Sequence, residues 1–200
     1  AEVSSFPRLA VAFAAYLGKD KVAQSRNLMK PTKEFNLKTK TGWTQAKGSA
    51  KARTTLLTHY SPPWTAVREV RIAEALHGEG HPKTRRLLAS ETFTEELKLT
   101  LRCLALCLVH HSIGDFFVLD LTWPNPIIET NEYKELQRKP GVYCVTTDED
   151  GGRKGVTFRH MVLTNVPWLY SLTRDSPKAG QVPTLSWDWT VQPEKPPTYS

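Results

Sequence analysis

Three metal-capable side chains share one face of the most strongly helical segment of this chain. Cys103, Cys107 and His110 are spaced so that an α-helix places them in line, with His111 beside them. Thiolates and imidazoles are zinc ligands, but structural zinc sites usually draw paired ligands from loops, and no second Cys or His pair here has such spacing. Core packing of the cysteines, with histidines that complement the helix dipole, is therefore favoured, and no metal or cofactor is predicted.

Other catalytic motifs are missing from the sequence. His77 and His81 lie four apart, but Gly78 and Gly80 between them favour a loop over a zinc-binding helix. There is no Gly-x-Ser-x-Gly elbow, phosphate-binding loop or dinucleotide fingerprint. We predict that the protein is not an enzyme; an enzyme or zinc protein that uses the Cys103, Cys107 and His110 face is the alternative.

Positive charge is concentrated in one segment. Between Lys19 and Arg53 there are ten Lys or Arg residues against Asp20 and Glu34, a net charge of +8, while the whole chain carries +7. The rest of the chain is thus close to neutral. A cationic block of this kind attracts polyanions, because each neutralised phosphate releases a counterion. A solvated arm that only aids solubility is the alternative interpretation.

Within and near this segment, Lys and Arg alternate with aromatic residues. Such residues suit single-stranded nucleic acid, because cations contact phosphates and exposed aromatic rings stack on bases. The same lysines suit an anionic phospholipid surface equally well. Phe35 and Trp43 are the candidates for base stacking, or else anchors that hold the segment on the core. The predicted anion-binding residues are Lys30, Lys33, Lys38, Lys40, Lys47, Lys51 and Arg53, with a second small site at Arg85 and Arg86.

The C-terminal residues 191–200 form a proline-rich tail with the motif Pro196-Pro197-Thr198-Tyr199. A polyproline segment is preorganised for an aromatic-lined groove, in which the tyrosine is an anchor. The motif resembles the Pro-Pro-x-Tyr ligand of WW domains, including the late motifs of enveloped-virus matrix and Gag proteins. This resemblance covers four residues and implies a WW-domain partner that binds Pro196, Pro197 and Tyr199.

Cysteine usage and hydropathy bear on the compartment. Three cysteines make an odd, sparse set, which argues against a disulfide framework. The apolar run 9–17 lacks the flanks of a signal peptide, and the run 97–109 is too short to span a bilayer. We expect a cytoplasmic protein, at the inner face of a membrane or in a virion.

Periodicity predicts an α+β fold. Helices are expected first, at about 6–17, 21–29, 65–77 and 83–89, followed by a long central core helix from Glu91 or Glu95 to His111. An antiparallel β-rich half follows, with strands at 116–123, 142–147 and 156–163, a short helix at 129–138, and further strands at 168–172 and 184–191. Residues 31–58 show no helical or strand-like hydrophobic periodicity, so they are predicted to form a basic arm or loop. The whole of residues 1–190 is predicted to be a single domain.

These features together favour a structural or assembly protein, matrix- or capsid-like and of viral type. It would bind RNA or an acidic membrane through the basic segment and self-associate through its globular part. The alternative is an RNA-binding regulator without a membrane role.

Overall fold

The chain is an α+β protein. The computed structural model describes residues 2–4, 26–27, 36–53, 55–123, 125–148, 159–167, 169 and 184–185. The helices within these ranges are α1 (Lys40–Lys51), α2 (Thr65–His77), α3 (Pro82–Leu88), α4 (Glu91–Ser112) and α5 (Asn131–Gln137), with a 3-10 turn at Pro126–Glu129. The strands are β1 (Glu2–Ser4), β2 (Arg26–Asn27), β3 (Leu57–Ser61), β4 (Phe116–Trp123), β5 (Tyr143–Asp148), β6 (Arg159–Thr164) and β7 (Thr184–Leu185).

One mixed sheet has the strand order β2-β1-β3-β4-β6-β5-β7. Strands β1, β3 and β4 run parallel, and β3 lies in register with β4 from Leu57 opposite Phe116 to Tyr60 opposite Leu119. The next pairs, β4 with β6 and β6 with β5, are antiparallel. A parallel neighbour requires a crossover connection, and helices α2, α3 and α4 supply it between β3 and β4.

Helix α4 is the centre of the core. Ser90 caps it by accepting a hydrogen bond from the Phe93 N–H at 3.2 Å, and Gly114 follows its end with a φ of 78°. Its side chains Leu104, Leu106 and Cys103 pack with buried residues of the sheet such as Phe117 and Leu119. Burying a leucine of this kind contributes about 2 kcal/mol each, so α4 holds the sheet and helices together.

Helix α2 receives its N-terminal cap from α4. Trp64, at the N-cap position, makes no side-chain capping bond. Instead, the buried Glu96 carboxylate accepts hydrogen bonds from the N–H groups of Ala66 at 2.8 Å and Val67 at 3.4 Å. These N–H groups have no partner within the helix, and the carboxylate also complements the helix dipole.

Replacing Glu96 by alanine is expected to lower the free energy of unfolding by about 2 kcal/mol, since two buried donors lose their acceptor. Glu96→Gln is the matched control and should cost less, because its amide oxygen still accepts one of these bonds. Urea unfolding of both variants measures the difference. Equal losses would contradict the capping role.

The same control tests the pH dependence of this contact. Burial raises the pKa of Glu96 above its usual 4.5, and the bonds from Ala66 and Val67 oppose this only in part. With a raised folded-state pKa, the contribution of Glu96 to stability is full below the unfolded pKa and is lost as the pH rises through the folded pKa. As the pH rises from the unfolded-state pKa of Glu96 through its folded-state pKa, the free energy of unfolding of the wild type should therefore fall relative to that of Glu96→Gln. If this difference in free energy stayed constant or rose with pH, the raised pKa of Glu96 would be contradicted.

Most sequence-predicted elements are confirmed where the structure describes them. These are α2, α3, α4, strand β4, the antiparallel pair β5 and β6, and the short helix α5. The predicted strand at 184–191 is described only at β7. The predicted helix at 6–17 lies outside the described residues, as does the predicted strand at 168–172 except for Leu169. Leu169 is helical and donates its N–H to the Val166 carbonyl at 3.1 Å, so a strand is wrong at that position.

Two other local predictions are wrong. Residues 31–58 were expected to be an arm or loop, but 40–51 form α1 and β3 begins at Leu57. The predicted helix 21–29 is described only at Arg26 and Asn27, which pair with Val3 and Ser4 as strand β2. In both cases the local sequence pattern is weak, and tertiary contacts determine the backbone conformation instead.

Candidate polyanion-binding surface

Helix α1 begins in a tightly built turn. The Thr39 hydroxyl oxygen accepts the Gly42 N–H at 3.1 Å, and Asn36 accepts hydrogen bonds from the Thr39 N–H and hydroxyl at its backbone oxygen, both at 3.0 Å. A Cβ at Gly42 would lie 2.2 Å from the Asn36 oxygen. The closeness of these two backbones requires glycine at this position and fixes where the helix starts.

The inner side of α1 is made of small residues. Gly42, Ala46 and Ala50 are buried, and α1 packs against α4. Trp43 is half-buried and packs against the main core cluster. Lys47 and Arg102 each place their cationic group 5.7 Å from the centre of its ring. This geometry favours the anchor interpretation of Trp43, and base stacking by Trp43 stays a prediction.

The outer side of α1 carries three lysines and a threonine, here called the α1 stripe and defined as Lys40, Thr44, Lys47 and Lys51. Intervals of four, three and four residues place these exposed side chains on one side of the helix, over about 16 Å of its length. Helix α1 has no acidic residue, and its lysines make no ion pair within the described part of the chain. Within the described part of the chain, the stripe thus carries positive charge that no carboxylate neutralises.

A cation lies at each end of the stripe and is paired. Lys38 contacts Glu95 at 3.2 Å, and Arg53 contacts Asp115 at 3.3 Å. The Lys38–Glu95 pair is a surface pair and contributes at most about 1 kcal/mol, so a phosphate can compete for Lys38. In the second pair the Arg53 side chain is 63% exposed and accessible to a phosphate, whereas the Asp115 side chain is buried, at 3% exposed. Of the predicted anion-binding residues in α1 and its flanks, three are unpaired and two are held by one carboxylate each.

Helix α4 adds cations that the sequence analysis did not assign to the site. Arg102 lies beside Trp43 of α1, and Lys98 is exposed one turn before it, 4.0 Å from Glu95. The signal for Arg102 was its position, a charged residue in the middle of an apolar helix. Such a side chain is retained only where it reaches a polar or aromatic partner.

Behind the stripe, a buried polar chain leads from Arg53 into the core. Asp115 is 2% exposed. Its N–H donates to the His110 carbonyl at 2.9 Å, and its backbone carbonyl accepts a hydrogen bond from the Asn165 side-chain amide at 2.9 Å. The imidazole Nε2 of His110 lies 2.8 Å from the Tyr60 hydroxyl. The polar groups that lie near His110 are Tyr60 and Asp115, and all three residues are enclosed by the fold, at 2% exposed each.

The cysteines of the helix face considered as an alternative zinc site are core residues, as the favoured packing interpretation predicts. Cys103 and Cys107 are fully buried, and burial raises the pKa of the Cys103 thiol to about 12. His110 turns toward Tyr60 and Asp115, and no group of three or more metal-capable side chains converges within the described ranges. The packing interpretation therefore accounts for both cysteines where the structure places them.

The remaining predicted site residues divide into two groups. Arg85 and Arg86 are exposed on α3, a helix that packs against α2 and α4, so they form a separate patch from the α1 stripe. The other group lies outside the described residues and consists of Lys30, Lys33, Phe35, Pro196, Pro197 and Tyr199. Near α3, His77 and His81 stack at 4.7 Å where α2 ends, which confirms the predicted loop.

Comparison of the chain with models of known protein families, with curated proteins and with solved structures finds no match. Among the described helices, none combines the length and the apolar character needed to cross a lipid bilayer.

Proposed function

We propose that this chain is a non-enzymatic structural or assembly protein that binds an anionic partner, RNA in the first place, through the α1 stripe. The observation that supports this most is the row of three exposed lysines, unpaired within the described residues, on a helix without acidic residues. Such a row lowers the free energy of a bound polyphosphate by releasing its counterions. Lys38, Arg53 and Lys98, which are also exposed, extend the same surface.

RNA is favoured over an acidic membrane by the side chains between the lysines. The exposed residues there include Thr41, Thr44 and Gln45, which donate and accept hydrogen bonds. A helix that lies in a membrane interface instead exposes large apolar residues that enter the acyl region. The one large apolar residue of α1, Trp43, packs on the core.

Self-association and the tail complete the proposal. An assembly protein needs contacts between copies, which would appear as a concentration-dependent mass in analytical ultracentrifugation. The Pro-Pro-x-Tyr motif would add a WW-domain partner, which a peptide of residues 191–200 would bind and its Tyr199→Ala variant would not.

The direct test is binding of the wild type to single-stranded RNA and to phosphatidylserine liposomes, side by side over a salt series. We expect RNA binding whose logarithm falls with log salt with a slope of about −2 or steeper, since each contact on a single strand contributes about −0.7. Liposome binding without RNA binding would show that the partner is a membrane. No salt-dependent binding to either would overturn the proposal.

A further inference from the structure

One buried carboxylate faces two different groups. Asp115 Oδ1 accepts a hydrogen bond from Arg53 Nε at 3.3 Å, while Oδ2 lies 3.7 Å from His110 Nδ1. Both Oδ2 and Nδ1 are buried and have no hydrogen-bond partner among the described residues. A separation of 3.7 Å exceeds a hydrogen bond, as expected when two acceptors face each other. We therefore assign the proton of the neutral imidazole to Nε2, from which it donates to Tyr60.

Arg53 is the exchangeable member of this group. Its side chain is 63% exposed, whereas that of Asp115 is 3% exposed. Its backbone has a φ of 51°, a left-handed conformation that glycine usually supplies after a helix. This backbone conformation is strained for arginine. The Arg53 guanidinium contacts the buried Asp115 carboxylate and is still accessible to solvent.

We propose that a polyanion on the α1 stripe takes Arg53 from Asp115, and that His110 then binds a proton in its place, so that polyanion binding takes up one proton. This inference rests on the proposed function and adds its regulation. The charges balance: the guanidinium moves from Oδ1 to a phosphate oxygen, and a proton from solvent binds Nδ1, which then donates to Oδ2. Without that proton, the buried carboxylate would be left uncompensated, a costly state.

The surroundings of His110 are consistent with this exchange. Burial, the largest effect, lowers the pKa of His110; Asp115 opposes this in part, and the amino-terminal charge adds to the lowering, so the neutral ring is favoured. On its own helix, the neighbouring groups are His111, which bonds the Pro140 carbonyl, and Cys107, whose thiol pKa burial raises well above its usual value. From other elements, the titratable groups that face it in the described chain are Tyr60, Asp115 and, through Asp115, Arg53.

The test compares RNA affinity from about pH 8 to about pH 5.5 in the wild type, His110→Gln and the control His77→Gln, which removes an exposed imidazole of α2. Affinity should rise with falling pH in the wild type and in His77→Gln, by up to about tenfold per pH unit, the limit for one proton. In His110→Gln, the part of this rise in RNA affinity that depends on protonation of His110 should be lost. Identical profiles in wild type and His110→Gln would overturn the inference and leave RNA binding intact.

A second measurement needs no RNA. In Arg53→Gln, Asp115 has lost its cation, so NMR titration should show the His110 ring protonating at a higher pH than in the wild type. An unchanged His110 titration would also overturn the inference. If the wild type binds no RNA, the proposed function fails separately, whatever this titration shows.

Discussion

Replacing Lys40, Lys47 and Lys51 together by alanine is expected to lower the affinity for single-stranded RNA by about 100-fold at about 0.1 M salt. Each lysine that neutralises a phosphate contributes about 0.7 to the slope of log affinity against log salt, so the slope should become shallower by about 2. The three side chains are exposed and lie off the buried side of α1, so the fold should be retained. Fluorescence anisotropy over a salt series measures both quantities.

The matched control removes the same charge elsewhere. Lys134, Arg138 and Lys139 lie on and just after α5, and Lys134 and Lys139 pair with Glu129 and Glu135. Alanine at these three positions changes the net charge as much as the stripe variant does. A nonspecific effect of net charge would weaken RNA binding equally in both variants, and that outcome would contradict a localised site.

Gly42→Ala is expected to destabilise the protein by about 3 kcal/mol, at the upper end of overpacking effects. The new Cβ would lie 2.2 Å from the Asn36 oxygen and 2.5 Å from its nitrogen, and these are backbone atoms that no rotamer change moves aside. The first turn of α1 must then separate from 36–39, which disturbs the position of Lys40. Chemical denaturation measures the loss, and RNA affinity should fall with it.

Gly48→Ala on the same helix is the matched control, and it is expected to stabilise the protein where Gly42→Ala destabilises it. No atom lies within 4 Å of a Cβ at Gly48, which is exposed. Alanine is the better helix former there and should raise the free energy of unfolding by up to about 1 kcal/mol. If both variants lost stability equally, the close contact between Gly42 and Asn36 would not be what fixes the start of α1.

The elements with strong local signals could be predicted from the sequence. Helix α4 has a serine cap, an acidic first turn, an apolar centre and a terminal glycine, and its observed bounds match the prediction closely. Strand β4 ends at Trp123 as expected from the proline that follows. In such segments propensity, capping and packing all favour one structure.

Helix α1 could not be predicted because its buried side lacks large apolar residues. Gly42, Ala46 and Ala50 are the buried positions, and glycine and alanine give no hydrophobic period. Small residues bury little area by themselves, but they allow α1 to lie close to α4. The helix is therefore specified by tertiary packing and by the Thr39 cap, which short-range patterns show only weakly.

For the candidate site, the sequence located the charge but not its partners. It placed Lys40, Lys47 and Lys51 in one basic segment, and the structure arranges them on one side of a helix. The contacts of Arg53 with Asp115 and of Trp43 with Arg102 join residues about sixty positions apart. Only the packing of α1 on α4 brings these residues together.

The proposed function requires that the α1 stripe is the surface that contacts the polyanion. Covalent labelling of lysine amines, with and without saturating single-stranded RNA and read out by mass spectrometry, tests this directly. We predict that RNA protects Lys40, Lys47 and Lys51, while labelling of Lys134 and Lys139, on and just after α5, is unchanged. Protection spread evenly over all lysines, or confined to positions other than α1, would contradict it.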